Sequence, residues 1–296
     1  MNVAIVGGRS LLKEDLCEAL SNHNVVLRLE AKSSPESMTA GDVYNCDFQD
    51  IVDCETFLSG IDCVIYSGLN WRGVKHGDLY NQIADIGCIV NEALKNRIKI
   101  IFLSDALSMG YHPKSGPYDE SKVWNQSVEW SCPGFMYHLA ERELYRGISE
   151  GMEAVVVRLS FMLGSKEAQE EFLSHISSLG ISKQPVDGRV SIISRKDVVQ
   201  LVTKLIHRDS YDHRFVNCAA HSLGEPAFLE SIGYQKPDKK WYDSITTLWL
   251  RFMRNNNPPL LNRPDGLIIE YDNRRSMDWL GMEYLDLKST LAEFQL

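Results

Sequence analysis

Hydrophobic positions along the first half of the chain follow two alternating spacings. Short runs of β-branched and other apolar residues are separated by segments in which apolar residues recur every three or four positions. This alternation is typical of β-α-β units that build a parallel sheet, whose strands are covered on both faces. The apolar runs predict strands at Asn2–Val6, Asn24–Leu29, Asp42–Cys46, Cys63–Tyr66, Lys99–Leu103 and Ala154–Leu159.

The segments between these runs predict helices. The clearest has Leu79, Ile83, Ile86, Val90 and Leu94 at helical spacing, which gives one apolar stripe. The predicted helices are Leu11–Ser21, Ile51–Ser59, Leu79–Lys95 and Tyr137–Glu150. Strands and helices in this order predict an α/β protein with a doubly wound parallel sheet.

The pattern is less regular after Gly164. It predicts a helix at Glu167–Leu179, an extended segment at Val186–Ile193, a helix at Asp197–His207 and a strand at Arg214–Cys218. The clearest break in the chain is Asn255–Pro259, because two prolines after three asparagines do not continue a helix.

The amino-acid composition and net charge limit the classes of binding partner that are expected. The 296 residues are 44% hydrophobic and 24% charged, as in globular proteins, and the net charge is -9. An acidic chain has no field that attracts a polyphosphate backbone or an anionic membrane, so neither nucleic acid nor a membrane is an expected partner.

Cysteine and histidine usage favours a cytoplasmic protein without a metal site. The seven cysteines are widely spaced and form no CxxC, which indicates neither a disulfide framework nor a zinc site. His76, His112 and His138 have no second ligand at metal spacing. No targeting segment or membrane span is expected, since Met1 leads directly into a strand.

A glycine-containing turn follows the first predicted strand. It reads Gly7-Gly8-Arg9-Ser10-Leu11-Leu12-Lys13 and leads into a helix, which is where a dinucleotide site would place the pyrophosphate on backbone N–H groups. In a GxxGxxG spacing that begins at Gly7, Ser10 and Lys13 replace the second and third glycines. Ser10 adds a side chain where phosphate approaches, and Lys13 adds bulk where helix meets strand. The alternative is an ordinary strand-to-helix turn.

Six further segments carry motifs in a characteristic order. They are Cys46–Asp50, Gly60–Gly68, Ile101–Gly110, Val156–Gly164, Asp197–Val199 and Asp272–Met282. Together they resemble the "GDxxD", "gvDaVihlA", "vyvSSaavyG", "vilRpxxvyG", "DvA" and "DxsrxxxxLGw" motifs of the extended short-chain dehydrogenase/reductase family. This family includes NAD-dependent epimerases/dehydratases and proteins similar to 3β-hydroxysteroid dehydrogenase. The resemblance covers nearly the whole chain.

The resemblance implies a Rossmann-type fold with a smaller C-terminal substrate-binding region. Residues 1–164 would form the NAD(P)-binding domain. Residues 165–296 would mostly form the substrate-binding region, with segments near 186–221 returning to the Rossmann core. The resemblance further suggests a homodimer, formed through the helices Leu79–Lys95 and Tyr137–Glu150.

NAD or NADP is the implied cofactor. Glu30 is suited to the ribose hydroxyls of NAD, whereas Arg9, Arg28 and Lys32 are suited to the extra phosphate of NADP, which leaves the choice open. The resemblance places Asp47 and Phe48 at the adenine, and Ser67 and Gly68 beside the nicotinamide ribose. The expected cofactor-binding residues are Gly7, Gly8, Arg9, Ser10, Leu11, Leu12, Glu30, Asp47, Phe48, Ser67, Gly68 and Ser104.

The catalytic positions allow two interpretations. The family uses a Tyr and a Lys four residues later, and Tyr118 and Lys122 have this spacing. Cys132-Pro133-Gly134, however, is expected to end any helix begun at Tyr118. In the alternative register the helix before the sixth strand places Pro133 in the Tyr position and Tyr137 in the Lys position.

In that register Asp105 occupies the usual Ser or Thr position, so all three catalytic positions are altered. Tyr137 and Asp105 are then the candidate replacement acid or base. Their structural alternatives are a packing tyrosine and a carboxylate that caps a loop.

Two functions therefore remain open. The first is an atypical NAD(P)-dependent oxidoreductase, epimerase or dehydratase acting on a hydroxyl or carbonyl of a small metabolite, such as a sugar nucleotide or secondary metabolite. The second is a catalytically degenerate NAD(P)- or metabolite-binding regulatory protein of the same fold. Trp241, Trp249 and Phe252 are candidates for lining a substrate pocket, with ordinary core packing as the alternative.

Overall fold

Seven parallel strands form the central sheet of the computed structural model, in the order β3-β2-β1-β4-β5-β6-β9. The structure describes residues 1–8, 10–21, 23, 25–30, 42–69, 76–110, 120, 132–163, 189–224, 227 and 271–292. The sheet strands are β1 (Asn2–Val6), β2 (Val26–Glu30), β3 (Asp42–Tyr44), β4 (Cys63–Tyr66), β5 (Lys99–Asp105), β6 (Ala154–Leu159) and β9 (Phe215–Cys218). This is the predicted doubly wound sheet.

Three further strands form a separate small sheet. They are β7 (Phe161–Leu163), β8 (Arg189–Ser194) and β10 (His221–Gly224). The central strand β8 pairs in parallel with β7 and antiparallel with β10. Because β7 follows β6 and β10 follows β9, this sheet continues from one end of the central sheet.

Helices cover both faces of the central sheet. They are α1 (Ser10–Ser21), α2 (Ile51–Leu58), α3 (His76–Asn96), α4 (Cys132–Ser149), α5 (Arg195–Ile206), α6 (Arg274–Leu280) and α7 (Leu287–Ala292). Successive strand residues face opposite sides, so one core lies under α2, α3 and α4 and the other under α1 and α5. Side chains cap several of these helices; for example, Asp50 accepts N–H groups at the start of α2, and Ser194 accepts one at the start of α5.

Most predicted boundaries lie within a few residues of the observed ones, but α4 begins five residues before the predicted start at Tyr137. The tripeptide Cys132-Pro133-Gly134 opens this helix, and the helix begun at Tyr118 that it was expected to end lies outside the described residues. A proline in the first turn loses no hydrogen bond, because the N–H groups there have no partner within the helix. The predicted helix Glu167–Leu179 and the break at Asn255–Pro259 lie outside the described residues.

In the described part of the chain, no helix is long and apolar enough to cross a membrane. No group of three or more His, Cys, Asp or Glu side chains within it is placed to hold a metal ion.

Candidate functional site

The carboxyl ends of β2, β1, β4 and β5 lie next to one another at one edge of the sheet. The chain crosses over between β1 and β4, and in open α/β sheets ligands bind outside the carboxyl ends of the strands at this point. The residues that follow these four strands are therefore the first place to look for a site.

The turn after β1 packs directly against the segment after β4. Gly7 has a φ of +94°, and a Cβ atom built on it would lie 2.7 Å from the carbonyl oxygen of Gly68. The Gly8 N–H donates to the same carbonyl at 2.8 Å. Ser67 is fully buried, and its N–H and hydroxyl both donate to the carbonyl of Val6, at 2.8 and 2.9 Å. These contacts hold the turn and the β4 end in fixed relation.

Glu30 ends β2 beside the same turn. It is half-buried, and its Oε2 lies 3.4 Å from the N–H of Gly7. Lys13, in the first turns of α1, has no exposed surface. Burial lowers the pKa of Lys13 to about 8, and the negative charge of Glu30 opposes part of that shift. An anionic and a cationic side chain thus lie under the turn between β1 and α1.

Tyr137 approaches the end of β4 from α4. Only 1% of Tyr137 is exposed, and its hydroxyl oxygen accepts the backbone N–H of Leu69 at 3.1 Å. This phenol therefore lies near Ser67 and Gly68, where the resemblance places the nicotinamide ribose.

The end of β5 contributes Ser104 and Asp105. Ser104 is fully buried, and its hydroxyl donates to Oε1 of Glu141 at 2.6 Å. The same oxygen accepts the hydroxyl of Ser108 at 2.5 Å, and Arg158 pairs with Glu141 at 2.8 Å. Asp105 is half-buried, and strand alternation places it on the face opposite Ser104.

Asp47 and Phe48, the residues expected at the adenine, lie in the segment after β3. Asp47 is exposed, and its carboxylate accepts the N–H of Gln49 at 3.2 Å. Phe48 is 4% exposed and packs edge-on against Phe57, with ring centroids 5.3 Å apart. The Phe48 ring therefore belongs to the core, and its backbone is the part of it that borders the edge.

The C-terminal segment returns to the edge at Tyr271. The Tyr271 hydroxyl donates to the carbonyl of Ala106, just after β5, and the Tyr271 N–H donates to the hydroxyl of Ser191 at 3.0 Å. Residues near the C-terminus thus lie against the end of β5.

Many solved structures have a similar overall fold. A nucleoside-diphosphate-sugar epimerase from Pseudomonas aeruginosa matches with TM-score 0.71 and 16% identity over 100% of this chain and 96% of that chain. UDP-glucose 4-epimerase from Thermotoga maritima, solved with UDP-glucose, matches with TM-score 0.72 and 16% identity over 99% and 97%. The Bordetella bronchiseptica enzyme WbmH, solved with NAD+, matches with TM-score 0.68 and 15% identity over 99% and 96%.

This chain has the Rossmann-type α/β fold of these structures. The fold implied by the sequence motifs is confirmed. No protein-family model and no curated protein matches the sequence itself.

Within this fold, the predicted site residues fall into three groups. The first lies at the carboxyl edge and consists of Gly7, Gly8, Glu30, Ser67, Gly68, Ser104, Asp105 and Tyr137. The second lies elsewhere in the described residues: Ser10 and Leu11 are in the first turn of α1, Asp47 is exposed after β3, and Leu12 and Phe48 are buried. The third, Arg9, Tyr118 and Lys122, lies outside the described residues, as do Lys32, Trp241, Trp249 and Phe252.

Arg28, considered above for the NADP phosphate, contacts another part of the fold. Its guanidinium donates to the carbonyl of Phe57 and, at 3.1 Å, to that of Ser59. The guanidinium also lies over the ring of Tyr44, 5.0 Å from its centroid. Arg28 therefore ties β2 to the end of α2.

Two buried charged residues near the edge were missed by sequence reasoning. Lys13 was considered only for its bulk, although its position between Leu12 and Leu16 on the buried face of α1 was a usable signal. Glu120 is 4% exposed and accepts the N–H groups of Asn217, at 2.7 Å, and Arg275, at 2.9 Å. Its partners are 97 and 155 residues away in sequence, so no local pattern indicates them.

Glu120 predicts a specific dependence of stability on pH. Burial raises the pKa of Glu120 to about 7, although the N–H groups of Asn217 and Arg275 oppose the shift. The folded protein therefore holds a proton that the unfolded chain releases at a pH near 4.3. The resulting stabilisation is complete below that pH and is lost as the pH rises through about 7.

Glu120→Gln is expected to flatten this dependence. As the pH rises from about 4 to about 8, ionisation of Glu120 lowers the free energy of unfolding of the unchanged protein by roughly 2–3 kcal/mol. Glutamine does not ionise, so the variant should not show this decrease. Urea unfolding of both proteins across this range measures the difference. Glu283→Gln, at an exposed position, is the matched control and should keep the original profile. Parallel profiles for Glu120→Gln and the unchanged protein would contradict the assignment.

Proposed function

We propose that the protein binds NAD or NADP across the carboxyl edge of its sheet and acts on a hydroxyl or carbonyl of a small metabolite. The reaction class is oxidation or reduction, epimerisation or dehydration. The observation that carries the proposal is the position of the Glu30 carboxylate, 3.4 Å from the Gly7 N–H at the turn into α1. An acidic side chain at the end of the second strand, beside this turn, is suited to the adenosine ribose of a dinucleotide.

The described residues fit the rest of such a cofactor. The first N–H groups of α1 have no acceptor within the helix itself, which suits them to a pyrophosphate, and a side chain at Gly7 would collide with Gly68. Ser67 and Gly68 border the place where the nicotinamide ribose would lie. When bound, the nicotinamide supplies hydride transfer, and the protein supplies binding, orientation and proton transfer.

A nucleotide sugar is the substrate class we propose. Two of the matching structures are sugar-nucleotide epimerases by name, and one of them was solved with UDP-glucose. A hydroxyl of such a substrate must lose a proton as hydride leaves its carbon. Asp105 and Tyr137 are the proposed proton-transferring residues, and Tyr118 with Lys122 is the alternative pair.

A second candidate function is favoured by two hydrogen bonds. The Tyr137 hydroxyl accepts the Leu69 N–H, and the Ser104 hydroxyl donates to buried Glu141. Both groups thus already contact the protein, as expected if the chain binds NAD(P) or a metabolite without turnover and regulates a partner.

Titration of the purified protein with NAD, NADH, NADP and NADPH tests the proposal. Calorimetry should give a dissociation constant in the micromolar range or below for at least one redox pair. Mass spectrometry of the native protein detects nucleotide retained from the preparation. No binding of any of the four would refute NAD(P) use and, with it, both candidate functions in their cofactor-dependent form.

Turnover separates the two candidates. The protein is assayed with a panel of UDP-sugars and the nucleotide that binds, and product formation supports the enzyme. Asp105→Asn or Tyr137→Phe should then lower kcat by about 10²–10⁴-fold if the residue transfers the proton. Activity that survives both changes would exclude both residues and favour Tyr118 and Lys122. Nucleotide binding without turnover would favour the regulatory protein.

A further inference from the structure

A short turn after β5 determines where the Asp105 side chain lies. β5 ends at Asp105, which pairs with Leu159 of β6, and Ala106–Met109 form a 3-10 helix directly afterwards, here named the β5 turn. The direction of the Asp105 side chain therefore depends on the backbone of β5 before it and of the β5 turn after it. Proton transfer needs the carboxyl group within hydrogen-bonding reach of a substrate hydroxyl, so this backbone must be held accurately.

Glu141 of α4 holds this part of the chain from the core side. The hydroxyls of Ser104, at 2.6 Å, and Ser108, at 2.5 Å, donate to the same oxygen, Oε1 of Glu141. Ser104 comes directly before Asp105, and Ser108 lies in the β5 turn. Glu141 is fully buried and is itself held by the guanidinium of Arg158. The chain is thus attached to one carboxylate on either side of Asp105.

Tyr271 contacts the β5 turn from the C-terminal segment. It is 7% exposed, and its hydroxyl donates to the carbonyl of Ala106. Its ring belongs to a small apolar cluster with Ala106, Met109 and Ala219, which is distinct from the two cores under the helices. The ring therefore packs against the β5 turn, and the hydroxyl fixes the carbonyl of the residue that follows Asp105.

The backbone around Tyr271 is held by two other elements. The Tyr271 N–H donates at 3.0 Å to the hydroxyl of Ser191, a fully buried residue of β8. The carbonyl of the next residue, Asp272, accepts the side-chain amide of Asn217, from β9, at 2.9 Å. Tyr271 thus extends from a fixed position beside the small sheet and β9 to the β5 turn.

We propose that Tyr271 is a positioning residue for proton transfer, because its hydroxyl fixes the Ala106 carbonyl and thereby holds the carboxyl group of Asp105 towards the substrate. This inference rests on the proposed function, in which Asp105 transfers the proton. Tyr271 acts through the backbone of the β5 turn and does not itself exchange a proton with the substrate. Since Tyr271 lies in the part of the chain expected to form the substrate-binding region, it connects that region to the proton-transferring residue.

Hydrogen exchange in the full-length protein tests the anchoring without a substrate. Tyr271→Phe removes only the hydroxyl and keeps the ring in its apolar cluster. Amide exchange in peptides that cover residues 104–110 should become about tenfold faster in this variant, because the Ala106 carbonyl loses this donor. Exchange in α4 should not change. Unaltered exchange in residues 104–110 would overturn the proposal.

Kinetics with the nucleotide and the UDP-sugar that give turnover test the effect on chemistry. Tyr271→Phe should lower kcat by about tenfold or more and leave KM within about twofold, because the carboxyl group is displaced while substrate binding is kept. Tyr211→Phe is the matched control. Tyr211 is 2% exposed, and its N–H donates to Glu153, just before β6, so it lies at the opposite edge of the sheet. This control should keep kcat, and an equal fall in both variants would overturn the role of Tyr271.

Combining Tyr271→Phe with Asp105→Asn shows whether Tyr271 acts through Asp105. If it does, Tyr271→Phe lowers kcat in the unchanged protein but changes it by less than about twofold in the Asp105→Asn variant. A tyrosine that contributes only to stability, or that touches the substrate itself, would lower kcat by the same factor in both backgrounds. That result would overturn the role of Tyr271 as a positioning residue.

The outcomes separate this inference from the proposed function. No turnover with any of the UDP-sugars, or an Asp105→Asn variant with unchanged kcat, overturns Asp105 as the proton-transferring residue, and the role of Tyr271 falls with it. A large loss of kcat in Asp105→Asn with none in Tyr271→Phe overturns only the role of Tyr271.

Discussion

Glu141→Gln is expected to lower the free energy of unfolding by about 3–5 kcal/mol. Glu141 and Arg158 form an ion pair at 2.8 Å whose two side chains have no exposed surface. Glutamine keeps the volume of Glu141 but removes its charge, so the buried guanidinium of Arg158 loses the charge of this carboxylate. The hydroxyls of Ser104 and Ser108 lose a carboxylate acceptor as well. Chemical denaturation followed by circular dichroism measures the change.

Glu143→Gln is the matched control on the same helix. Glu143 pairs with Arg146 at 3.1 Å, but both side chains are 36% exposed, so the loss should be below about 1 kcal/mol. Replacing both Glu141 and Arg158 by apolar residues of similar volume should recover much of the stability. A Glu141→Gln variant as stable as Glu143→Gln would show that this pair is not a buried ion pair in solution.

Gly7→Ala is expected to cost about 2–5 kcal/mol and to abolish nucleotide binding. The φ of +94° is strained for any residue with a Cβ atom, and that atom would lie 2.7 Å from the Gly68 carbonyl. The carbonyl is backbone and is bonded to the Gly8 N–H, so relief of the collision must move the turn itself. Thermal unfolding and NAD(P) calorimetry on the same preparation measure both effects.

Gly151→Ala is the control that separates the cost of backbone strain from the cost of a steric collision. Gly151 has a nearly identical φ of +99°, and nothing lies within 4 Å of the Cβ position. This variant should lose only the cost of backbone strain, about 1–2 kcal/mol, and should keep nucleotide binding. Equal losses of stability for the two variants would mean that the turn and the β4 end are not in contact as described.

The strands at the centre of the sheet were largely predictable because they are buried on both faces. β1, β4 and β6 have the predicted bounds, and each is mostly apolar. β5 extends to Asp105, two residues further than predicted, because its end pairs with Leu159 of β6. That extension depends on a neighbouring strand and leaves no local signal. The start of α4 was mispredicted because proline and glycine occur at both helix starts and helix ends.

The carboxyl edge of the sheet was predictable from the sequence, but the contacts along it were not. The carboxyl ends of the strands follow from the order of elements, and this order placed Glu30, Ser67 and Asp105 at one edge. Contacts such as Tyr137 with Leu69, or Glu120 with Asn217, join distant parts of the chain. They depend on packing, which apolar periodicity does not specify. The hydrogen bond from Ser104 to Glu141 likewise joins distant parts of the chain and depends on packing.

The position of β9 determines how a truncated form of the protein is expected to behave. β9 is the outermost strand beyond β6, and it pairs Val156 with Phe215 and Leu159 with Cys218. A polypeptide that ended near residue 164 would lack β9 and leave one side of β6 without a partner. Every residue of β6 is buried, so the exposed side would be an apolar strand edge with free N–H and C=O groups. Such a fragment should self-associate into aggregates, as should nascent chains released before residue 218 is made.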